Sequence, residues 1–270
     1  MLWNAARVRG FAIEATDGRV GVVDDFLFDD VSWRVRWVVV EARPWPSKHK
    51  VLLLPGVLGR IDRPDREISV ALTKRKVMES PDAATERSVS RQMETEVCDH
   101  YGWTPYWRDA VFEDGYGYVG GATAPSILLA SDGRREARAD RERDEDDPHL
   151  RGMTAVTGYH VHAADGVIGH VEDFLIGDSD WRVHFLLVDT GTWLPGRKVL
   201  ISPSIAQEID WSARTVRLAA DRQTVKDGPP YDAATTLDAN SERGIHDHYG
   251  DGDVGAAAPA YPSGDAGNFG

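Results

Sequence analysis

The side chains best suited to chemistry are histidines in the second half of the chain. His160 and His162 alternate along a segment that reads as a strand, so they share one face, and His170 and His184 fall in neighbouring strands. Alternating histidines on a strand can hold zinc or nickel. No cysteine or carboxylate cluster completes a site around these four, and a solvent-facing polar set is the competing reading. His246-Asp247-His248 is also metal-capable but stands beside a tail that reads as disordered. Gly115-x-Gly117-x-x-Gly120 spells a dinucleotide fingerprint. That fingerprint needs a preceding strand and a helix opening on its third glycine, whereas Gly121 and Pro125 follow here, so a linker is the better reading. The chain carries no nucleophile elbow, no Walker loop, no HExxH and no paired carboxylates at a spacing suited to acid–base work. The expectation is a protein without catalytic residues or cofactor, not an enzyme.

The elements that must position these residues come in duplicate. Val8-Arg9-Gly10 matches Val156-Thr157-Gly158, and Asp17-Gly18-x-x-Gly21 matches Asp165-Gly166-x-x-Gly169. Asp25-Phe26-Leu27, Trp33-Arg34-Val35 and Lys50-Val51-Leu52 match Asp173-Phe174-Leu175, Trp181-Arg182-Val183 and Lys198-Val199-Leu200. Every pair lies at one offset of about 148 positions, without a gap over roughly 70 residues. Asp99-His100-Tyr101-Gly102 returns at the same offset as Asp247-His248-Tyr249-Gly250. The four histidines are not part of the match: Ala12, Glu14, Val22 and Arg36 hold their places in the first copy.

Within the first copy, Val8 to Glu14 reads as a strand, Asp17-Gly18 as a tight turn and Val20 to Phe28 as a second strand. Trp33 to Glu41 reads as a third, with Trp33, Val35, Trp37 and Val39 on one face. Val51 to Leu54 and the alternating Ile68 to Leu72 complete the sheet signal. The repeated Asp25 and Asp173 read as residues that tie down a turn. Thr73 and, in the second copy, Asp221 are predicted N-caps of a short helix. Val89, Met93, Val97 and Tyr101 form a helical stripe ended by Gly102; Leu237, Ser241, Ile245 and Tyr249 take those places in the second copy. The segments are therefore a barrel-forming repeat over 1–80, a helical arm over 81–107, a Gly-rich and charged linker over 108–152, a second repeat over 153–229, its arm over 230–250, and a disordered tail over 251–270. The charged stretch Arg134 to Asp147 forms a solvated helix or a flexible tether.

The chain has 270 residues and a formal net charge of -13. Acidity of that size argues against a nucleic-acid partner, which needs a basic surface to displace counterions. Cys98 is alone, so no internal disulfide forms, which fits a reducing compartment. Met1 to Gly10 has two arginines and no apolar run of signal-peptide length, and no stretch approaches a membrane span. The expectation is a cytoplasmic protein without a membrane span.

The duplicated pattern resembles the PRC-barrel family. It does so through Gly10, Asp17-Gly18-x-x-Gly21, Val23-x-Asp25-Phe26-Leu27, Trp33-Arg34-Val35, Lys50-Val51-Leu52-Leu53-Leu54-Pro55 and Val70-x-Leu72-Thr73, and through their second copies ending at Pro203. Tyr101-Gly102-x-x-Pro105-Tyr106-Trp107 resembles the segment that follows the barrel in many bacterial members. The resemblance implies an all-β protein with two tandem six-stranded barrels, each followed by a short helical arm, and a binding or scaffold role. Its relatives include the cytoplasmic part of the reaction-centre H subunit and the C-terminal domain of the ribosome maturation factor RimM. The expectation is a chain without the membrane helix of the former and without the N-terminal domain of the latter.

Trp33 and Trp181 read as barrel core. Trp45 and Trp193 lie in proline-containing loops, and Trp103, Tyr106 and Trp107 form a second aromatic group; these five are candidates for a protein interface, with packing against the barrel as the alternative. The function expected first is non-enzymatic protein binding or scaffolding, with an unidentified protein partner. The alternatives are a small-ligand or metal-responsive module using the histidines of the second repeat, and, by the resemblance alone, an accessory to photosynthetic electron transfer.

Overall fold

The computed structural model describes residues 1–42, 49–62, 64–83, 89–105, 149–191, 193–194, 196–229, 231 and 237–250. Each repeat supplies six strands in the same order. The first has β2 (Ala12–Ala15), β3 (Gly18–Asp29), β4 (Val35–Ala42), β5 (His49–Leu53), β6 (Leu58–Asp62) and β7 (Glu67–Val70). The second has β9 (His160–Ala163), β10 (Gly166–Gly177), β11 (Val183–Asp189), β12 (Lys198–Ile201), β13 (Ala206–Asp210) and β14 (Thr215–Leu218). Their sheets run β5-β4-β3-β2-β7-β6 and β12-β11-β10-β9-β14-β13, antiparallel except for the parallel pairs β2–β7 and β9–β14. Both sheets are open at their ends among the described residues, where the expectation was closure into two six-stranded barrels. The fold is predominantly β, with short helices.

A seventh strand joins each sheet from the other repeat. The strand β1 (Leu2–Asn4) leads into helix α1 (Ala5–Val8) ahead of the first repeat, yet β1 pairs with β10 of the second. Reciprocally, β8 (Leu150–Gly152) and helix α4 (Met153–Val156) precede the second repeat, and β8 pairs with Leu27–Asp29 of β3. This explains why β3 and β10 each run for 12 residues. One edge of each is covered by a single partner, and the other edge is shared between its own repeat and the exchanged strand. Val8 to Glu14 is accordingly not one strand: α1 ends at Val8, Gly10 turns the chain at φ 80°, and β2 starts at Ala12. Leu150–Gly152 is strand rather than linker.

The two repeats also meet at their β3–β4 and β10–β11 hairpins. The Val35 N–H donates to Trp181 O and the Val183 N–H to Trp33 O, both at 2.8 Å, around an antiparallel bridge between Arg34 and Arg182. Trp33 and Trp181 take up left-handed backbone (φ 55° and 51°), a region that bulky residues seldom occupy. That turn directs both indoles inward, to 8% and 5% exposure. Phe28 lies 5.4 Å from both Trp33 and Phe174, ring centre to ring centre, so one apolar core runs through both repeats.

A bulge splits β4 between two faces. Leu27 pairs with Trp37 but Phe28 with Val35, leaving Arg36 as the extra residue. Val35, Val38 and Val40 therefore enter the shared core, while Trp37 and Val39 face the opposite side. The expected single face of Trp33, Val35, Trp37 and Val39 is broken there, because alternation does not survive an inserted residue. The outer face of each sheet is covered by its arm: α3 (Arg91–Tyr101) through Val97 and Cys98, and α6 (Ala239–His248) through Ile245, with its C-cap Tyr249 alongside.

Local predictions stand where side chains meet their own backbone. Thr73 caps α2 (Lys74–Met78) by accepting from the Lys76 N–H at 3.3 Å, and Asp221 caps α5 (Arg222–Asp227) from the Thr224 N–H at 2.7 Å. Gly102 closes α3 at φ 77°. Gly21 and Gly169 permit close strand packing: a Cβ there would stand 2.2 Å from Glu41 O and 1.9 Å from Asp189 O.

Candidate functional site

His184 occupies the bulge of β11, the position of Arg36 in the first repeat. Leu175 pairs with Phe185 and Ile176 with Val183, so His184 is the extra residue, and the bulge turns its ring toward α6. Glu242 and His246, one helical turn apart on α6, face it. The Glu242 carboxylate lies 2.6 Å from Nδ1 of His184, and Asp180 of the β10–β11 turn lies 3.0 Å from Nε2. Both ring nitrogens thus contact carboxylate oxygens, which only accept, so the ring is held doubly protonated. Burial opposes that charge, but the hydrogen bonds and charges of Asp180 and Glu242 outweigh it and raise the imidazole to about 9.

His246 completes the group. Its ring lies 4.7 Å from that of Phe185 and 6.4 Å from that of His184, and its Nδ1 is 3.4 Å from Ser202 Oγ. Ligand atoms of His184, Glu242 and His246 all lie within 4.8 Å of one another, the one such group of three among the described residues. Gly177 makes room for it: a Cβ there would stand 2.2 Å from Asp180 Oδ1 and 2.9 Å from His184 Nε2.

The first repeat fills the same slot differently. Arg36 stands for His184, Glu94 for Glu242, Cys98 for His246, Ser32 for Asp180 and Asp29 for Gly177. The Arg36 guanidinium approaches Asp29 at 3.9 Å and donates to Ser32 Oγ at 3.2 Å. Glu94 is fully buried and accepts from the indole N–H of Trp37, a donor that Phe185 lacks in the second repeat. Cys98 is buried; desolvation, then the charges of Glu94 and Asp99, push its thiol up to about 12.

The other predicted histidines stand apart from this group. His160 and His170 are direct cross-strand partners, and His162 lies opposite Val167. Across β11, His170 faces Asp189 at the far end of the ladder from His184. His248 is engaged elsewhere: its Nε2 donates to Thr224 O at 2.8 Å, as His100 Nε2 does to Lys76 O at 2.8 Å. The repeated Asp-His-Tyr-Gly thus ties each arm to the short helix of its own repeat. Asp25 and Asp173 do not tie down a turn of their own strand. Each accepts from the following Phe N–H at its bulge and from the first turn of the exchanged helix.

Of the aromatic candidates, Trp193 is partly buried against the core, with the Arg222 guanidinium 4.9 Å above its ring. Trp103 stacks on Tyr101 at 4.0 Å beside Trp37. Trp45, Tyr106, Trp107 and the Gly115–Gly120 segment lie outside the described residues. Trp211 on the β13–β14 turn, overlooked in the sequence, is 39% exposed, with the Arg151 guanidinium 4.7 Å from its ring. An open cleft of ≈ 430 Å³ lies at the exchange seam, lined by Trp3, Arg7, Phe11 and Arg66. Among the described residues no helix is long and apolar enough to cross a membrane. No protein-family model matches the chain, and comparison with curated proteins finds no match.

Proposed function

We propose that this chain is a non-enzymatic protein-binding or scaffold protein of the cytoplasm, built from two modules that resemble PRC barrels. The reciprocal exchange of β1 and β8 is the observation that supports the reading. It fuses two equivalent surfaces into one body at fixed spacing. A partner that engages both copies then gains the second contact without the entropy loss that a flexible tether would impose. Trp211, whose place in the first copy is held by Arg63, adds an exposed aromatic to the surface of the second repeat alone.

The test is co-purification from the native host, followed by titration of the recovered protein against the purified chain and by cross-linking. The expected result is stoichiometric binding with cross-links to equivalent positions in both repeats, weakened by Trp211→Ala. Turnover of a substrate by the isolated chain, or the lack of any stoichiometric protein partner, would contradict the reading.

A further inference from the structure

We propose that His184, Glu242 and His246 form a site for a divalent transition metal of the zinc class, and that the ion fastens α6 to the outer face of the second sheet. Two imidazoles and one carboxylate are a ligand set that zinc accepts, with the fourth position left to water. His184 would bind through Nδ1, now beside Glu242, and the ion takes the place of the proton there, which leaves to solvent.

Three observations point to an ion rather than to a plain salt bridge. The first is the second shell. Asp180 already holds Nε2 of His184 at 3.0 Å, the carboxylate–histidine arrangement that orients a ligating ring and raises its basicity. The second is the comparison between repeats. The first copy fills the slot with the long guanidinium of Arg36. The second replaces that with a shorter ring, replaces the Cys98 thiol with a further imidazole, and removes the Asp29 side chain at Gly177. These changes exchange a built-in cation for ligand atoms that lie within 4.8 Å of one another around a common point. The third is location. The ligands join β11 to α6, whose Ser241 and Gly244 make it a weaker helix than α3. An ion there supplies the cross-link that the first repeat obtains from the bond between Trp37 and Glu94.

The experiment uses the full untagged chain, stripped with chelator and titrated with zinc chloride by calorimetry, with magnesium and calcium chloride as controls. The expected result is one zinc per chain, no heat from the oxygen-seeking ions, and a melting temperature raised by zinc. His246→Ala should weaken binding at least about tenfold, and Asp180→Asn by about 10–100-fold, as for other outer-shell carboxylates. His184→Arg restores the cation of the first repeat; it should fold and melt normally yet bind no zinc. Zinc heat that survives in His184→Arg and His246→Ala, or that disappears only when His160 and His170 are replaced, would overturn the proposal. So would a folded wild-type chain that takes up no zinc.

Discussion

The Asp173 carboxylate accepts a hydrogen bond at 3.0 Å from the backbone N–H of Ala6, 167 positions away in the chain. Asp25 does the same for Thr154 at 3.1 Å. Each aspartate acts as an N-cap supplied in trans. The preceding residues, Asn4 and Gly152, provide no side-chain cap of their own to α1 and α4. The same carboxylates accept from the Phe26 and Phe174 N–H groups at the bulges of β3 and β10. One side chain thus satisfies an orphan donor in its own strand and another in the exchanged segment.

Asp173→Ala and Asp25→Ala should each destabilise the chain by about 1–3 kcal/mol, since two amide donors lose their acceptor. Urea denaturation measures this. The Asn variants keep an acceptor oxygen and should lose less.

The two carboxylates also predict a pH dependence. Burial raises both above the ordinary value of 3.8, against the lowering effect of their amide donors. The native state therefore takes up these protons before the unfolded chain does as pH falls. Their desolvation penalty is present above the raised native value and is gone below 3.8. Acidification through that window should raise the stability of the wild type relative to Asp25→Asn/Asp173→Asn. Paired urea titrations between neutral and acidic pH read the difference, and a difference that moves the other way would show that the native state favours the charged forms.

A shared core implies shared unfolding. Phe28→Ala removes a ring that touches both Trp33 and Phe174, at a cost of about 3–5 kcal/mol. Both repeats should then melt together at a lower temperature. Two separated calorimetric transitions, with only one displaced, would show the repeats to be independent.

Gly169→Ala would place a Cβ 1.9 Å from Asp189 O, against backbone that cannot swing aside. The expected loss is about 1–3 kcal/mol or more, as for other overpacked sites. Gly244→Ala, with open space around its Cβ, should stabilise α6 by up to about 1 kcal/mol.

Much of each repeat is legible in the sequence because it rests on local chemistry. Thr73, Asp221 and Gly102 act on backbone within a few residues, and Val20–Phe28 announces β3 by its apolar run. The exchange is not legible, for a physical reason. β1 pairs with Leu175-Ile176-Gly177 and β8 with Leu27-Phe28-Asp29, equivalent positions whose pairing runs through the backbone, so local sequence cannot decide which sheet each short strand joins. Strand β6 escapes notice because Leu58-Gly59-Arg60-Ile61-Asp62 is a weak strand pattern. At the site, His184 is visible as a possible ligand, but its partners stand far along the chain on a helix. The overlooked signal is Glu94 recurring as Glu242 while Arg36 becomes His184: a carboxylate kept on the arm of both copies while the bulge residue of the sheet changed.

The most direct test of the exchanged architecture is a cross-link between its two halves. Asn4 and Leu175 are opposite one another in the β1–β10 pair, and Leu27 is the residue Asn4 would face had β1 stayed with its own repeat. Directly opposed cysteines in antiparallel strands have Cβ atoms about 4.5–5.5 Å apart, close to disulfide range. Under mild oxidation, Asn4→Cys/Leu175→Cys should form an intramolecular disulfide rapidly and Asn4→Cys/Leu27→Cys should not. The reverse outcome would mean that each repeat keeps its own first strand, and the account of one fused body would be wrong.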